Sequence, residues 1–297
     1  MSHLGMRRFA STLLRPCTAI AAFTLGIVTA STPKVSQAAP REIVVAHEVL
    51  LEAGDKLEAN LAAFLRRVEE VAGLPKNGLK GKAFARPADA LAYIREQKVG
   101  FAILPAHQVA EAHKTLKLEI LGRAVGIDGR VLQFVTVTRK PRPFPEGEIP
   151  AGARVAASET HDPAWLALLT EGDLDPRSRP LALVQTPSSQ AALDALLAKK
   201  ADLAILHPQH FQDIKRRIED GGDLEWVVTS PKLPPSAFVA VGKFASAQDR
   251  KRMAAAIDKV CKTSGADACG RMGLMYIEAG RADSYADVIN GYQSRVR

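Results

Sequence analysis

Histidines in strand-end loops are the residues of this 297-residue chain whose types and spacing most strongly indicate chemistry. Six of the seven histidines follow residue 38, and four of those six lie in loops that follow short apolar runs typical of strands. They are His47, His107, His161 and His207. Because ligands of open α/β sheets bind at the carboxyl ends of strands, we expect these four side chains to face one site.

The first chemistry that fits this pattern is the binding of a small oxyanion. The other candidate ligand-binding residues are Glu48, Arg86, Gln108, Ser158, Thr160, Thr186, Ser188 and Ser189. Helix amino ends offer unpaired N–H groups and the positive end of the helix dipole, and an arginine can bind an oxyanion through two parallel hydrogen bonds. A plainer interpretation is that Ser188 and Asp162 only cap helices.

The second chemistry is the binding of a transition metal or a metal chelate. Imidazoles combined with carboxylates suit Zn, Cu, Ni or Fe. The ligands would be His47, His107, His161 and His207, with a carboxylate from Glu48, Glu159 or Asp162.

An enzyme is the rival class of function, and the sequence gives it little support. Neither Ser158 nor Ser189 lies in a G-x-S-x-G motif, and the chain contains no H-E-x-x-H or C-x-x-C motif. We therefore predict no catalytic residues, no enzymatic activity and no cofactor.

An internal repeat with an offset of 102 positions indicates the elements that hold these residues. Residues 90–104 read ALAYIREQKVGFAIL, and residues 192–206 read ALDALLAKKADLAIL. Each copy has the pattern of an amphipathic helix that leads into a buried parallel strand. Two such units predict two similar α/β lobes with a ligand cleft between them. Through the same offset, Arg86 aligns with Ser188.

The amino-terminal stretch has the pattern of an export signal. Arg7, Arg8 and Arg15 precede a short apolar run, and Ser36-Gln37-Ala38 is a small-x-small cleavage site. Residues 1–38 carry four basic and no acidic residues, so the formal charge falls from +8 to +4 on cleavage. This modest charge, without a basic block, argues against nucleic-acid binding. We expect a periplasmic protein, cleaved near Ala38.

The remaining chain predicts lobe 1 at residues 39–136, lobe 2 at 137–230 and a return to lobe 1 at 231–297. The prolines between residues 141 and 150 are typical of a linker and predict the first crossing between lobes there. Cys261 and Cys269 are the cysteines that remain after cleavage. A helix break at residues 263–265 would allow them to form a local disulfide, and two buried thiols are the alternative.

Four stretches, in order, carry a resemblance to a known family. They are residues 102–105 (AILP), 128–130 (DGR) before the strand at 134–137, 229–234 (TSPKLP), and 282–288 (ADSYADV). With these stretches the chain resembles the phosphonate/phosphate/sulfonate-type solute-binding proteins of ABC transporters. The resemblance implies a type II periplasmic binding fold, in which two α/β lobes joined by two hinge strands close around a ligand.

The predicted ligand loops depart from this family in three places. A Ser/Thr run expected after the first strand of lobe 2 reads Ser-Glu-Thr-His-Asp at residues 158–162. A histidine expected before a lobe 2 helix is Ser189, and an aromatic residue expected in lobe 1 is Gln108. The resemblance still predicts a monomer that captures a small polar, anionic ligand for a membrane ABC permease. A ligand-sensing partner of a membrane receptor is an alternative that this fold would also serve.

Overall fold

The computed structural model describes residues 41–46, 54–84, 86–126, 129–145, 148–158 and 162–296. These residues form two separate β-sheets, each with helices packed against it. We call the six-stranded sheet with its helices lobe 1 and the five-stranded sheet with its helices lobe 2.

Lobe 1 contains the first four strands and the last two. The strands are β1 (Arg41–Ala46), β2 (Leu79–Phe84), β3 (Phe101–Leu104), β4 (Leu118–Gly126), β10 (Ser236–Val241) and β11 (Leu274–Ala279). The helices of the same part of the chain are α1 (Leu57–Ala72), α2 (Pro87–Gln97), α3 (Ala106–Leu116), α7 (Ala247–Ala256), α8 (Ala266–Gly270) and α9 (Ala286–Val296).

Lobe 2 is formed by the middle of the chain. Its strands are β5 (Val135–Arg139), β6 (Arg154–Ala157), β7 (Ala182–Gln185), β8 (Leu203–Leu206) and β9 (Leu224–Thr229). Its helices are α4 (Pro163–Leu169), α5 (Ser189–Leu197) and α6 (Phe211–Glu219).

The two sheets share one strand order. Lobe 1 runs β2-β1-β3-β10-β4 with β11 added at the edge, and lobe 2 runs β7-β6-β8-β5-β9. In each sheet the first three of these strands are parallel and the next two are antiparallel to their neighbours. Strands β3 and β8, the ends of the two repeat copies, therefore occupy equivalent central positions. All four residues of each strand are buried.

The repeat therefore predicted the two-lobe α/β architecture correctly. Strands β3 and β8 each hydrogen-bond to strands on both sides, so each repeat copy ends in an inner strand of its own sheet. Helix α1 ends at Gly73, whose φ of 61° is the left-handed conformation that glycine adopts without steric cost.

The first crossing between lobes lies earlier than the proline-rich stretch predicted. Strand β5 already pairs with β8 and β9 of lobe 2, so the chain crosses between Gly126 and Val135, and the prolines at 141–150 lie within lobe 2. The proline pattern was misleading because it marks any extended connection, and here it connects β5 to β6. The predicted boundary at residue 136 falls inside β5.

The two crossings pair with each other. Leu132 and Leu233 exchange two backbone hydrogen bonds of 2.8 and 2.9 Å, and they form an isolated antiparallel bridge. Ser230 Oγ accepts from the Phe134 backbone N–H at 2.9 Å. The second crossing is residues 230–235, between β9 and β10.

The carboxyl-terminal helix α9 contacts both lobes. It packs on α3 of lobe 1 and α4 of lobe 2. The Tyr292 hydroxyl donates to the Asp162 carboxylate at the start of α4, and Gln293 Nε2 donates to the Ala110 carbonyl in α3 at 3.1 Å. One hydrophobic cluster accordingly includes buried residues of both lobes, among them Val109 and Trp165.

Cys261 and Cys269 form a disulfide, with a Cα–Cα distance of 5.5 Å. A short 3-10 turn at Thr263–Gly265 separates Cys261, which lies in a turn, from Cys269 in α8. Over the residues that the structure describes, no helix combines the length and apolar character that a membrane crossing requires.

Candidate ligand-binding site

A cavity lies between the lobes, with walls from both lobes and from both crossings. It encloses about 540 Å³ between its lining atoms, part of it open to solvent. The apolar lining residues are Pro105, Ala106, Ala124, Leu132, Phe134, Trp165, Leu233, Pro234 and Pro235. The remaining described lining residues are Gly126, Gly129, His107, His207 and Ser236.

Two pairs of rings form the aromatic part of this wall. His107 in the first turn of α3 lies 5.5 Å, centroid to centroid, from Trp165 in α4, so this pair joins the two lobes across the cleft. Phe134 in the first crossing lies 5.3 Å from His207, which follows β8, with the rings edge to face. Such edge-to-face geometry is favourable because the ring edge is positive and the face is negative.

Trp165 carries a buried donor that the described residues leave without a hydrogen bond. Its side chain is 2% exposed, and its Nε1–H has no acceptor among the described residues. An unpaired buried donor costs about 1–3 kcal/mol, so buried indole N–H groups usually have a partner. Trp165 also lines the cavity, which makes this donor a candidate contact for a ligand.

Two of the four predicted histidines, His107 and His207, line this single cavity. His47, Glu48, Thr160 and His161 lie outside the described residues. Ser158 is half-buried immediately after β6. Gln108 is 1% exposed, and its Oε1 has no donor among the described residues, but Gln108 is not on the cavity wall.

Arg86 is not on the described cavity wall either. Its side chain is 80% exposed and pairs with Asp89 at 2.8 Å, three residues along the same helix. The expectation of a bidentate cleft arginine rested on the 102-residue alignment with Ser188, which predicts backbone position and not side-chain direction. The partner of its guanidinium in the structure is instead the nearby carboxylate of Asp89.

The three hydroxyls at the start of α5 make contacts within lobe 2. Ser188 caps the helix by accepting from the Ala191 N–H at 3.2 Å, and Thr186 donates to the Ser188 carbonyl at 3.1 Å. Ser189 Oγ accepts from the backbone N–H of His207 at 2.9 Å. Ser188 therefore has the capping role that the plainer interpretation gave it, and Ser189 is a positioning residue for a histidine of the cleft.

Tyr285 fixes the other side of the cavity. Its hydroxyl lies 2.9 Å from the Pro235 carbonyl oxygen and 3.0 Å from that of Ser236. The side chain is fully buried, and burial raises the pKa of the phenol well above its usual range. Tyr285 therefore stays protonated as a donor that holds the second crossing against the carboxyl-terminal segment.

The electrostatic character of the described cavity is nearly neutral. None of its described lining residues is Lys, Arg, Asp or Glu. Over the described ranges, no cluster of three or more His, Cys, Asp or Glu side chains is arranged to hold a metal ion. What the described wall offers a ligand is aromatic and aliphatic surface, two imidazoles, one serine and one indole donor.

The sequence did not identify Trp165, Phe134 or the Pro234-Pro235 pair as site residues. Asp162 caps α4, as the plainer interpretation expected, because its Oδ1 accepts from the Ala164 N–H at 2.8 Å. The start of α4 at Pro163 places Trp165 close to a strand-end loop, and this position could have identified Trp165 as a candidate site residue. Phe134 was predicted in a strand, but the strand begins one residue later, at Val135.

Several solved structures have the same fold at low sequence identity. The protein XAC2383 of Xanthomonas citri, solved bound to ATP, matches with a TM-score of 0.65 and 13% identity, over 87% of this chain and 98% of that chain. PhnD1 of Prochlorococcus marinus, solved with methylphosphonate, matches with a TM-score of 0.59 and 11% identity, over 86% and 98%. A phosphonate-transporter binding protein of Pseudomonas aeruginosa matches with a TM-score of 0.60 and 13% identity, over 86% of each chain. These likenesses establish the type II periplasmic binding fold.

No curated protein matches the sequence. The model of one protein family does match it, over residues 49–285, which is most of the chain. That family comprises the periplasmic substrate-binding proteins of phosphonate ABC transporters, which bind and deliver ligands and are not enzymes. The chain belongs to this family of transporter substrate-binding proteins.

Proposed function

We propose that this protein captures a small organic ligand with an anionic group in the cleft between its lobes and delivers it to a membrane ABC permease. The observation that carries the proposal is the cavity itself, whose walls come from both lobes and both crossings. A ligand that contacts all four regions would stabilise one relative position of the lobes, which a permease can recognise.

Hinge bending is supported by the form of the connections. The two crossings are short and paired at Leu132 and Leu233, so rotation at this pair would open the cleft without breaking either sheet. The contact of α9 with α4, including the Tyr292–Asp162 hydrogen bond, would have to adjust in such a motion.

An anionic group is supported by the ligands of related structures and by the donors of the cleft. The solved relatives named above include complexes with ATP and with methylphosphonate, which both carry phosphorus oxyanions. In this chain the proposed donors are Trp165 Nε1 and the imidazoles of His107 and His207. Hydrogen bonds to an ionised acceptor are shorter and stronger than bonds between neutral groups.

A transition metal is the second candidate ligand, because two histidines line one cavity. Two imidazoles are fewer ligands than the four of a typical zinc site, so additional ligands would have to come from outside the described wall. We rank this candidate below an organic anion.

A thermal-shift screen of the purified, chelator-stripped protein tests the proposal. The panel sets phosphate, methylphosphonate, phenylphosphonate and sulfonates against Zn, Cu, Ni and Fe salts. A ligand at 100 times its dissociation constant adds about 2.7 kcal/mol, which raises the melting temperature by several degrees. A rise with an anion supports the proposal. A rise with metals alone, abolished in the His107→Ala and His207→Ala variants, would replace it with metal capture.

The cellular location is part of the same proposal. We propose export to the periplasm with cleavage near Ala38, on the basis of the basic and apolar segment before that residue. Amino-terminal sequencing of protein from a periplasmic extract checks this, and a mature protein that retains Met1 would contradict it.

A further inference from the structure

We infer that the ligand of this cleft carries an aromatic ring, or an apolar body of similar size, and that this body rather than its charged group supplies most of the affinity. The inference rests on the proposed function, because it assumes that the interlobe cavity is the binding site. It narrows the ligand class from small oxyanions in general to organic molecules with an apolar body.

The composition of the wall is the first argument. Nine of the fourteen described lining residues are apolar, and they include the rings of Phe134 and Trp165 and the prolines Pro234 and Pro235. A bare oxyanion would gain nothing from this surface and would lose the water that solvates it. A ring placed there would instead be removed from water against apolar atoms.

The position of the aromatic rings is the second argument. Trp165 comes from lobe 2 and its neighbour His107 from lobe 1, whereas Phe134 comes from a crossing. A planar ligand body between these groups would contact both lobes and the hinge at once. The edges and faces of these rings also favour contacts with a further aromatic ring on the ligand.

The charges are the third argument. The described wall contains no Lys or Arg, and the arginine that sequence reasoning assigned to the site, Arg86, is exposed and paired with Asp89. The hydroxyl of Ser189 accepts the backbone N–H of His207, and Ser188 caps α5. The described wall therefore lacks the concentration of cations and uncommitted hydroxyls that a multiply charged oxyanion requires.

The indole donor is the contact that we assign to the polar end of the ligand. Trp165 Nε1 is buried and has no acceptor within the described residues, although it belongs to a residue of the cavity wall. A ligand whose acceptor group reaches Nε1 while its ring contacts the apolar wall would satisfy this donor. A carboxylate, sulfonate or phosphonate attached to a ring has this form.

Two phosphonates that share a head group provide the test. Isothermal calorimetry compares methylphosphonate with phenylphosphonate, with phosphate as the bare oxyanion and benzamide as a neutral ring carrying an acceptor. We expect phenylphosphonate to bind at least about tenfold more tightly than methylphosphonate, since burial of a ring is favourable and each 1.4 kcal/mol is a factor of ten.

Each pattern of results decides between the inference and the proposed function. Equal or tighter binding of methylphosphonate or phosphate would overturn the inference and leave the proposed function intact. Binding of benzamide without binding of either phosphonate would support the aromatic body and contradict the anionic group of the proposed function. No binding of any of the four probes would overturn both.

Two variants test the role of Trp165 in this preference. Trp165→Phe keeps a ring but removes the Nε1 donor, so we expect the affinity for phenylphosphonate to fall about tenfold. Trp226→Phe is the matched control, because Trp226 in β9 is the other tryptophan and does not line the cavity. Unchanged affinity in Trp165→Phe, or an equal loss in Trp226→Phe, would contradict the assignment of the donor.

Discussion

Strands β3 of lobe 1 and β8 of lobe 2 occupy equivalent positions 102 residues apart, yet the helices before them begin in different ways. Helix α5 begins with a serine cap and with Ser189, whose hydroxyl accepts the N–H of His207 in the cleft. Helix α2 begins after Arg86, which has no side-chain cap and faces solvent with Asp89. In lobe 2 the repeat helix is thus connected to the cleft by a hydrogen bond, whereas at the start of the lobe 1 copy the exposed Arg86 pairs with Asp89 of its own helix.

The first residues of the equivalent strands β1 and β6 differ in a similar way. Arg41 at the start of β1 pairs with Asp249 of α7, which is distant in sequence, at 2.8 Å. Arg154 at the start of β6 pairs with Asp202, immediately before β8, at 2.7 Å. The residue of lobe 1 that aligns with Asp202 is Gly100. The two lobes therefore keep one topology but stabilise it with different polar contacts.

Truncation of the equivalent core leucines should have the largest effect. Leu104 in β3 and Leu206 in β8 are both fully buried, and each substitution by alanine should cost about 2–5 kcal/mol because it leaves a cavity. Urea unfolding followed by circular dichroism measures the cost. Two lobes that unfold together will show one transition in both variants. A variant that splits the curve into two transitions would contradict shared stability through the interlobe core.

Loss of the Ser189 hydroxyl should have the second-largest effect on stability. Ser189→Ala leaves the buried N–H of His207 without its acceptor, and an unsatisfied buried donor costs about 1–3 kcal/mol. We also expect weaker ligand binding, because His207 loses a contact that positions it. Ser188→Ala is the matched control, since it removes a cap worth about 1 kcal/mol but no contact to His207. Equal losses of ligand affinity in both variants would argue against positioning by Ser189.

The ion pair between Asp202 and Arg154 should make the stability of lobe 2 fall as the pH is lowered into the acid range. The hydrogen bonds from Arg154 lower the pKa of the Asp202 carboxyl below its usual range. A group with a lowered folded pKa stabilises the fold above its unfolded pKa of about 4 and loses that contribution as the pH falls through the folded pKa. Asp202→Asn should therefore cost about 1 kcal/mol at pH 7, and progressively less at acid pH.

Melting temperatures of the wild type and Asp202→Asn between pH 7 and pH 3 measure this dependence. The exposed pair Asp213–Arg216 is the control, because Asp213→Asn should change stability by less than about 0.5 kcal/mol. A difference between wild type and Asp202→Asn that grows toward acid pH would contradict the sign.

The smallest effect is expected at Arg86. Arg86→Ala removes an exposed ion pair with Asp89, so the stability should change by less than about 0.5 kcal/mol. We expect affinity for phenylphosphonate to stay within about twofold, because Arg86 is not on the described wall. A tenfold or greater loss of affinity for phenylphosphonate would show that Arg86 contributes to binding. It would also weaken the contrast between the starts of α2 and α5.

The architecture could be predicted from the sequence because the hydrophobic pattern of each repeat copy indicates a buried strand. A strand that is buried, as β3 and β8 are, needs neighbouring strands on both sides, and so each copy predicts a sheet. The sequence pattern placed His107 and His207 after equivalent strands of the two lobes, and both line the one cavity, but their role in binding stays a prediction. It failed for Arg86 because alignment of two repeats carries no information on which neighbour a flexible side chain selects. It missed Trp165 because an aromatic residue on a buried helix face has the same pattern whether it packs in one lobe or across a cleft.

The fluorescence of Trp165 tests the central claim most directly, since the Trp226→Phe variant leaves Trp165 as the one tryptophan of the chain. This variant is titrated with phenylphosphonate while its emission is recorded. Binding in the interlobe cleft predicts a saturable change in intensity or wavelength with one ligand bound per chain. Saturable binding in calorimetry without any change in Trp165 emission would contradict the cleft as the site.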